Sequence, residues 1–184
     1  LMNTFPDVRT VRWDADTASK AESHEEILQQ FIDHQADVMI GTQMVAKGLD
    51  LPLVTLVGVV SADPGLFLPD FRAPERAFQL LTQVAGRAGR GILGGRVIVQ
   101  TYQPQHDSIR FAAEHDYAGF YAQEIEARRE LGYPPFRKLA RILIQSSNPV
   151  NTEREAQEAN AELLRLIDKR GLTDTTLIGP APCF

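Results

Sequence analysis

Leu53-Val54-Thr55-Leu56-Val57-Gly58-Val59-Val60 is almost wholly apolar, without the alternation expected of a strand that wets one face. A strand covered on both faces reads this way, and such strands lie centrally in parallel sheets. Working outward, Asp37–Thr42 and Arg96–Thr101 read as flanking strands, and Val8–Trp13 as a further one. Between them lie two helical patterns. The first opens at Ser23-His24-Glu25-Glu26 and puts Ile27, Leu28, Phe31 and Ile32 on one face. The second opens at Ala73-Pro74-Glu75-Arg76, with Pro74 in the first turn, where its missing N–H does no harm. It carries Phe78, Leu81 and Val84 on one face. Gln43–Asp50 reads as a turn or one short helix, and Ser61–Phe71 as a loop. Alternating strands and helices predict an α/β fold with a doubly wound parallel sheet.

After Pro104 the pattern changes. Asp107–Leu131 reads as one long helix ended by Gly132-Tyr133-Pro134-Pro135, and Leu139–Gln145 as a strand. Asn151-Thr152-Glu153 caps a helix to about Lys169, stopped by Gly171, and Thr175–Ile178 starts another strand. The expected organisation is an α/β lobe over 1–104, a connecting helix and Pro-rich turn over 105–138, and the start of a small, truncated α+β domain over 139–184.

The 184 residues suit one domain or slightly more, and a formal charge of −5 argues against a general polyanion binder. Any nucleic-acid contact must therefore be local. One cysteine, Cys183, permits neither a disulfide framework nor an internal zinc site, which fits a cytoplasmic protein. His24, His34, His106 and His115 show no metal-binding spacing, and no apolar run reaches membrane-spanning length. Both ends read as cut from a longer chain.

The chemistry concentrates in Gln83-Val84-Ala85-Gly86-Arg87-Ala88-Gly89-Arg90-Gly91. From Ala77 to Pro104 there is no acid and there are three arginines, a local field of one sign on an acidic chain. Arginine suits phosphate because its planar cation gives two parallel hydrogen bonds. The glycine before each arginine lets a ligand or another backbone approach. Arg87 and Arg90 are therefore candidates to meet the terminal phosphates of a nucleotide and stabilise charge in phosphoryl transfer. The plainer alternative is a helix end with glycine caps and solvated arginines.

A second element, Ile40-Gly41-Thr42-Gln43-Met44-Val45-Ala46-Lys47-Gly48-Leu49-Asp50, begins where a strand ends, the place where doubly wound sheets hold ligand loops. Thr42 and Gln43 can donate to a nucleic-acid phosphate or sugar. Gly48 permits a tight turn. Asp50 can accept from a ribose hydroxyl or from an arginine of the next element. Thr42 as a helix cap and Asp50 as an ordinary turn residue is the competing reading. Arg128, Arg129, Arg137, Lys138 and Arg141 surround one acid, Glu130, with Tyr133 and Phe136 interleaved. That pattern fits a single-strand DNA surface as well as it fits a solvated helix end.

Three blocks together go further. Gly41-Thr42-Gln43-Met44-x-Ala46-Lys47-Gly48, then Asp63-x-Gly65-Leu66-Phe67 with Asp70-Phe71-Arg72-Ala73-x-Glu75-Arg76, then Leu81-x-Gln83-Val84-Ala85-Gly86-Arg87-Ala88-Gly89-Arg90 resemble the PriA (primosomal protein N′) family of replication-restart DNA helicases of superfamily 2. The first and last blocks correspond to helicase motifs V and VI. Tyr133-Pro134-Pro135-Phe136 and Gly179-Pro180-Ala181-Pro182 extend the likeness over nearly the whole chain.

The resemblance implies a 3′-to-5′ DNA translocase that restarts stalled forks and starts primosome assembly. ATP and Mg²⁺ would sit between two RecA-like lobes, of which residues 1–104 look like the later part of the second. Arg90 and Arg87 would be arginine fingers, with Gln83 ordering nucleotide or water. Gly48, Asp50 and Gly86 would line the nucleotide side. Thr42 and Gln43 would hold DNA, and Arg137 and Lys138 would add to the DNA surface. Residues 139–184 look like the opening of a domain similar in fold to ribosomal protein S10. Forked and single-stranded DNA, single-stranded DNA-binding protein and other primosome proteins would be the partners. The chain departs from the family pattern in carrying no Gly-x-x-x-x-Gly-Lys-Ser/Thr, no Asp-Glu-x-His and none of the family's zinc-binding cysteines. Alone it is expected not to hydrolyse ATP. The alternative class is a non-catalytic module that docks DNA or the single-stranded DNA-binding protein.

Overall fold

The computed structural model describes residues 3–13, 21–42, 54–88 and 94–182, apart from the side chains of residues 21–24 and 87. Two compact units divide the chain, residues 1–137 and 138–184.

The first unit is built from two strand–helix–strand units. β1 (Thr10–Trp13) and β2 (Val38–Gly41) pair in parallel, Thr10 opposite Val38 and Trp13 opposite Gly41. α1 (Ala21–Ile32) connects them and half-buries Ile27, Leu28 and Phe31. Arg9 and Asp37 lock the entry to this pair. The Arg9 Nε and backbone N–H both donate to Asp37 Oδ2, at 2.9 and 3.0 Å, and the Asp37 N–H returns a bond to the Arg9 carbonyl at 2.8 Å. The Arg9 hydrogen bonds hold the Asp37 carboxyl down at about 2.

β3 (Leu56–Val59) and β4 (Arg96–Val99) form the second parallel pair, Leu56 opposite Arg96 and Val59 opposite Val99. Between them run the one-turn α2 (Asp63–Leu66) and the long α3 (Ala73–Ala88). The apolar stripe of α3 behaves as its 3.6-residue spacing requires, with Ala77, Phe78, Leu81 and Val84 all buried. α4 (Asp107–Glu114) packs on it, and α5 (Tyr117–Leu131) packs on α4 and reaches α3 through Phe120. Phe78, Leu81, Phe111, Ala112 and Phe120 form the core, with Val59, Val99 and Ile109 against it. The rings of Phe78 and Phe120 stack 4.2 Å apart at 1°. Ser108, fully buried, donates to the Pro74 carbonyl at 2.8 Å and ties α4 to the first turn of α3.

The described strands form two two-stranded parallel pairs, and the described residues do not join them into one sheet. Three expectations are corrected here. The described part of Leu53–Val60, residues 54–60, is not covered on both faces: Leu56 is 57 % and Val60 81 % exposed, because β3 has β4 as its only described partner and burial alternates along it. The single helix over Asp107–Leu131 is broken. His115 takes φ 54 and closes α4, and the Asp116 side chain accepts from the Gly119 N–H at 2.8 Å to start α5. Neither Leu139–Gln145 nor Thr175–Ile178 forms a strand. Each lacks a hydrogen-bonded neighbour among the described residues, and an unpaired extended segment is no ladder.

Among its described residues the second unit is therefore one helix, α6 (Pro149–Lys169), flanked by chain outside any helix or strand. Its cap is Asn148, not the Asn151–Glu153 stretch. The Asn148 side chain accepts from the Val150 N–H at 3.0 Å, and Pro149 occupies the first turn. Gly171 ends it as expected, at φ 61.

Candidate nucleotide- and DNA-facing site

Two parallel strand ends and one helix position the candidate residues. At the carboxyl edge of β3 and β4, Asp63 collects the chain. Its Oδ1 accepts from Thr101 Oγ1 at 3.0 Å and from the Tyr102 N–H at 3.1 Å, which fixes the segment after β4 to the loop after β3. From that loop α3 sets out with its buried stripe on the core. Gln83 lies on the exposed side of the same helix and Gly86 is half-buried. Open space surrounds the position a Cβ would take at Gly86. Arg87 follows Gln83 by four residues, within the helix backbone, so the two positions are neighbours on its surface. Arg90 lies outside the described residues. Thr42 is exposed directly after the last residue of β2, at the strand's carboxyl end. Gln43, Gly48 and Asp50 lie outside the described residues. The structure thus places Gln83, Gly86 and Arg87 on one helix, and Thr42 at the end of β2.

The start of α3 is held by charge. Arg128 of α5 donates from Nη2 to Glu75 Oε2 and from Nε to Glu124 Oε1, each at 2.8 Å. Its side chain is 14 % exposed. Desolvation opposes the Arg128 cation, but the hydrogen bonds and charges of Glu124 and Glu75 outweigh it and raise its pKa. Its guanidinium lies 5.1 Å from the centroid of Phe71, which in turn stacks on Tyr133 at 5.3 Å. Asp70 accepts from the Arg72 backbone N–H at 2.9 Å and pairs with Arg76 at 2.9 Å, and that backbone bond is the main reason its pKa is lowered.

These contacts thin the predicted basic surface. Arg128 is spent on two carboxylates, and Arg129 pairs with Glu126 and lies over the Phe136 ring. Tyr133 is stacked on Phe71. Arg137 and Lys138 remain exposed, with Arg137 also against Gly132. Sequence reasoning grouped Arg128 with the surface charges and overlooked Glu75. The Glu124–Arg128 spacing is a legible i, i+4 pair. The Glu75 contact, across 53 positions, had no local signal.

Residues 3–91 match the helicase conserved C-terminal domain family. The chain is also similar over almost its full length to proteins named replication restart protein PriA. It is 44 % identical to the Bacillus subtilis protein over 181 residues, 98 % of this chain and 22 % of that protein. Against the Chlamydia pneumoniae protein it is 44 % identical over 184 residues, all of this chain and 24 % of that one. The chain belongs to the PriA family. The Thermotoga maritima PriA protein is more distant, 39 % identical over 149 residues. The chain spans about a quarter of the length of the curated PriA relatives it matches, 22 % and 24 % of the first two. The helicase C-terminal domain is RecA-like α/β, and the parallel strands and crossing helices of the first unit agree with that class.

Proposed function

We propose that this chain supplies part of the second RecA-like lobe of an ATP-dependent 3′-to-5′ DNA helicase that restarts stalled replication and starts primosome assembly in the bacterial cytoplasm. The observation that carries the reading is α3. One side of it is buried in the core, and Gln83 and Arg87 follow one another by a turn at its far end, within an acid-free stretch. A rigid helix that presents such residues suits a site for charge that develops in phosphoryl transfer. The two strand–helix–strand units then belong to one doubly wound sheet.

In this reading Arg87 and Arg90 stabilise the charge of the transferring phosphoryl group and Gln83 orients the nucleotide or the attacking water. Gly48, Asp50 and Gly86 line the same side. Thr42 and Gln43 grip a phosphate of the translocating strand, and Arg137 and Lys138 extend the DNA surface. Forked and single-stranded DNA are the substrates, with the single-stranded DNA-binding protein and other primosome proteins as partners. ATP is held largely by residues outside this chain, which has no phosphate loop. Among the described residues no cluster of His, Cys, Asp or Glu fits Mg²⁺ or zinc, so neither is assigned ligands here. No described helix is long and apolar enough to cross a membrane.

The test is Arg90→Ala in the full-length protein. ATP turnover falls by about 10³–10⁵ while DNA affinity is kept. Normal turnover in that variant overturns the reading and favours a docking module.

A further inference from the structure

We infer that Arg128 is a positioning residue for ATP turnover: the fork by which it bridges Glu124 to Glu75 sets the tilt of the helix that carries Gln83 and Arg87. The inference rests on the nucleotide-facing reading of those two positions.

Arg128 joins four segments. It binds Glu75 in the first turn of α3 and Glu124 on its own helix, each at 2.8 Å, and lies against Phe71 of the preceding loop. Its Nη1 also points to the Pro134 carbonyl, 3.5 Å away. The rest of the α3–α5 contact is looser. Phe78 and Phe120 stack, but beside them a cleft of about 160 Å³ opens between the helices, lined by Glu75, Phe78, Phe120, Glu124 and Arg128. Apolar contact is not directional, so a ring stack beside a cleft lets a helix rock. A charge-assisted fork from an arginine with 14 % side-chain exposure is directional and resists that motion. Glu75 also accepts from Gln79 Nε2 at 3.1 Å, and Glu75, Gln79, Gln83 and Arg87 follow at four-residue steps along the helix. At about 1.5 Å rise per residue, Arg87 lies roughly 18 Å beyond Glu75. A tilt of about 5° about the fork therefore moves the Arg87 backbone by about 1.5 Å. A misplacement of about 1 Å at reacting groups costs on the order of 10²-fold in rate.

The test uses the full-length protein, with DNA-stimulated ATP turnover and thermal unfolding measured together. In Arg128→Met, kcat falls about 10- to 100-fold, by the same reasoning, while KM for ATP stays within about threefold. Glu75→Ala loses kcat similarly, and the double variant loses no more than the worse single one, because both break the same fork. Arg128→Lys keeps the charge but not the fork, remains folded, and falls between wild type and Arg128→Met. A folded Arg128→Met, or an Arg128→Lys if Arg128→Met does not fold, with wild-type kcat overturns the inference. Additive losses in the double variant, or a loss confined to KM, also overturn it. Arg90→Ala in the same assay separates the two ideas. If Arg90→Ala is inactive and Arg128→Met is normal, only the positioning role fails. If Arg90→Ala is normal, the nucleotide-facing reading itself fails, and the positioning role with it.

Discussion

Phe120→Ala is the sharpest probe of what holds the proposed catalytic helix. Phe120 is 4 % exposed and lies flat on Phe78, the buried anchor in the middle of α3. A buried aromatic covers at least ~150 Å², which at ~25 cal/mol per Å² gives a loss of about 4 kcal/mol. Phenylalanine-to-alanine changes in cores cost about 3–5 kcal/mol, the same range reached independently. The next residue supplies the control. Tyr121 is 54 % exposed, so Tyr121→Ala should move stability by no more than about 0.5 kcal/mol. The single tryptophan, Trp13, is 5 % exposed within the same unit and reports its unfolding by fluorescence in urea. With a slope of about 2 kcal/mol per M, the Phe120→Ala midpoint falls by about 2 M. A fall of less than about 0.5 M at unchanged slope refutes the claim that this ring stack anchors α3.

Two further outcomes follow. In an NMR titration Arg9→Gln lets the Asp37 pKa rise from about 2 toward the ordinary carboxylate range, because the Arg9 side-chain bonds are the main cause of the depression. The sign is that of a depressed acid: the pair's contribution is present above the unfolded value of about 4 and disappears as pH falls through about 2. The variant therefore lacks the part of the wild-type acid dependence that lies in that window. Reversing the charges of Arg137 and Lys138 in the full-length protein weakens single-stranded DNA binding and lowers the salt dependence of affinity by roughly 0.7 for each phosphate no longer neutralised. Unchanged affinity removes these residues from the DNA surface.

Much of the first unit was legible because local periodicity and burial agree there. The stripe of Phe78, Leu81 and Val84 and the first-turn Pro74 both read correctly from spacing alone. Strand positions read well too, because β-rich runs bounded by turns mark Thr10–Trp13, Val38–Gly41 and Arg96–Val99. What failed depended on partners. An apolar run cannot say how many neighbours its strand has, so Leu53–Val60 read as central. Leu139–Gln145 has strand composition but no ladder among the described residues. Asn148 was passed over for Asn151, although Asn-Pro is itself a cap followed by a first-turn proline. In the candidate site, glycines and arginines were visible as a motif, whereas Glu75 and Arg128 meet only through the packing of α5 on α3.

The interruption at His115 and Asp116 has a consequence in angular phase. Phe111 and Phe120 are nine residues apart and bury in the same core. Nine steps of about 100° come to half a turn past two full ones, so in an unbroken helix the two rings would face opposite ways. One residue of left-handed backbone resets the phase and turns both rings toward α3. The break is also crowded: a Cβ on Gly119 would fall on the Asp116 carboxylate and the Phe111 ring, so the corner has no room for a larger residue there. A half-turn conflict between two aromatic side chains, resolved by one backbone reversal, is what gives α3 a lid made of two helices.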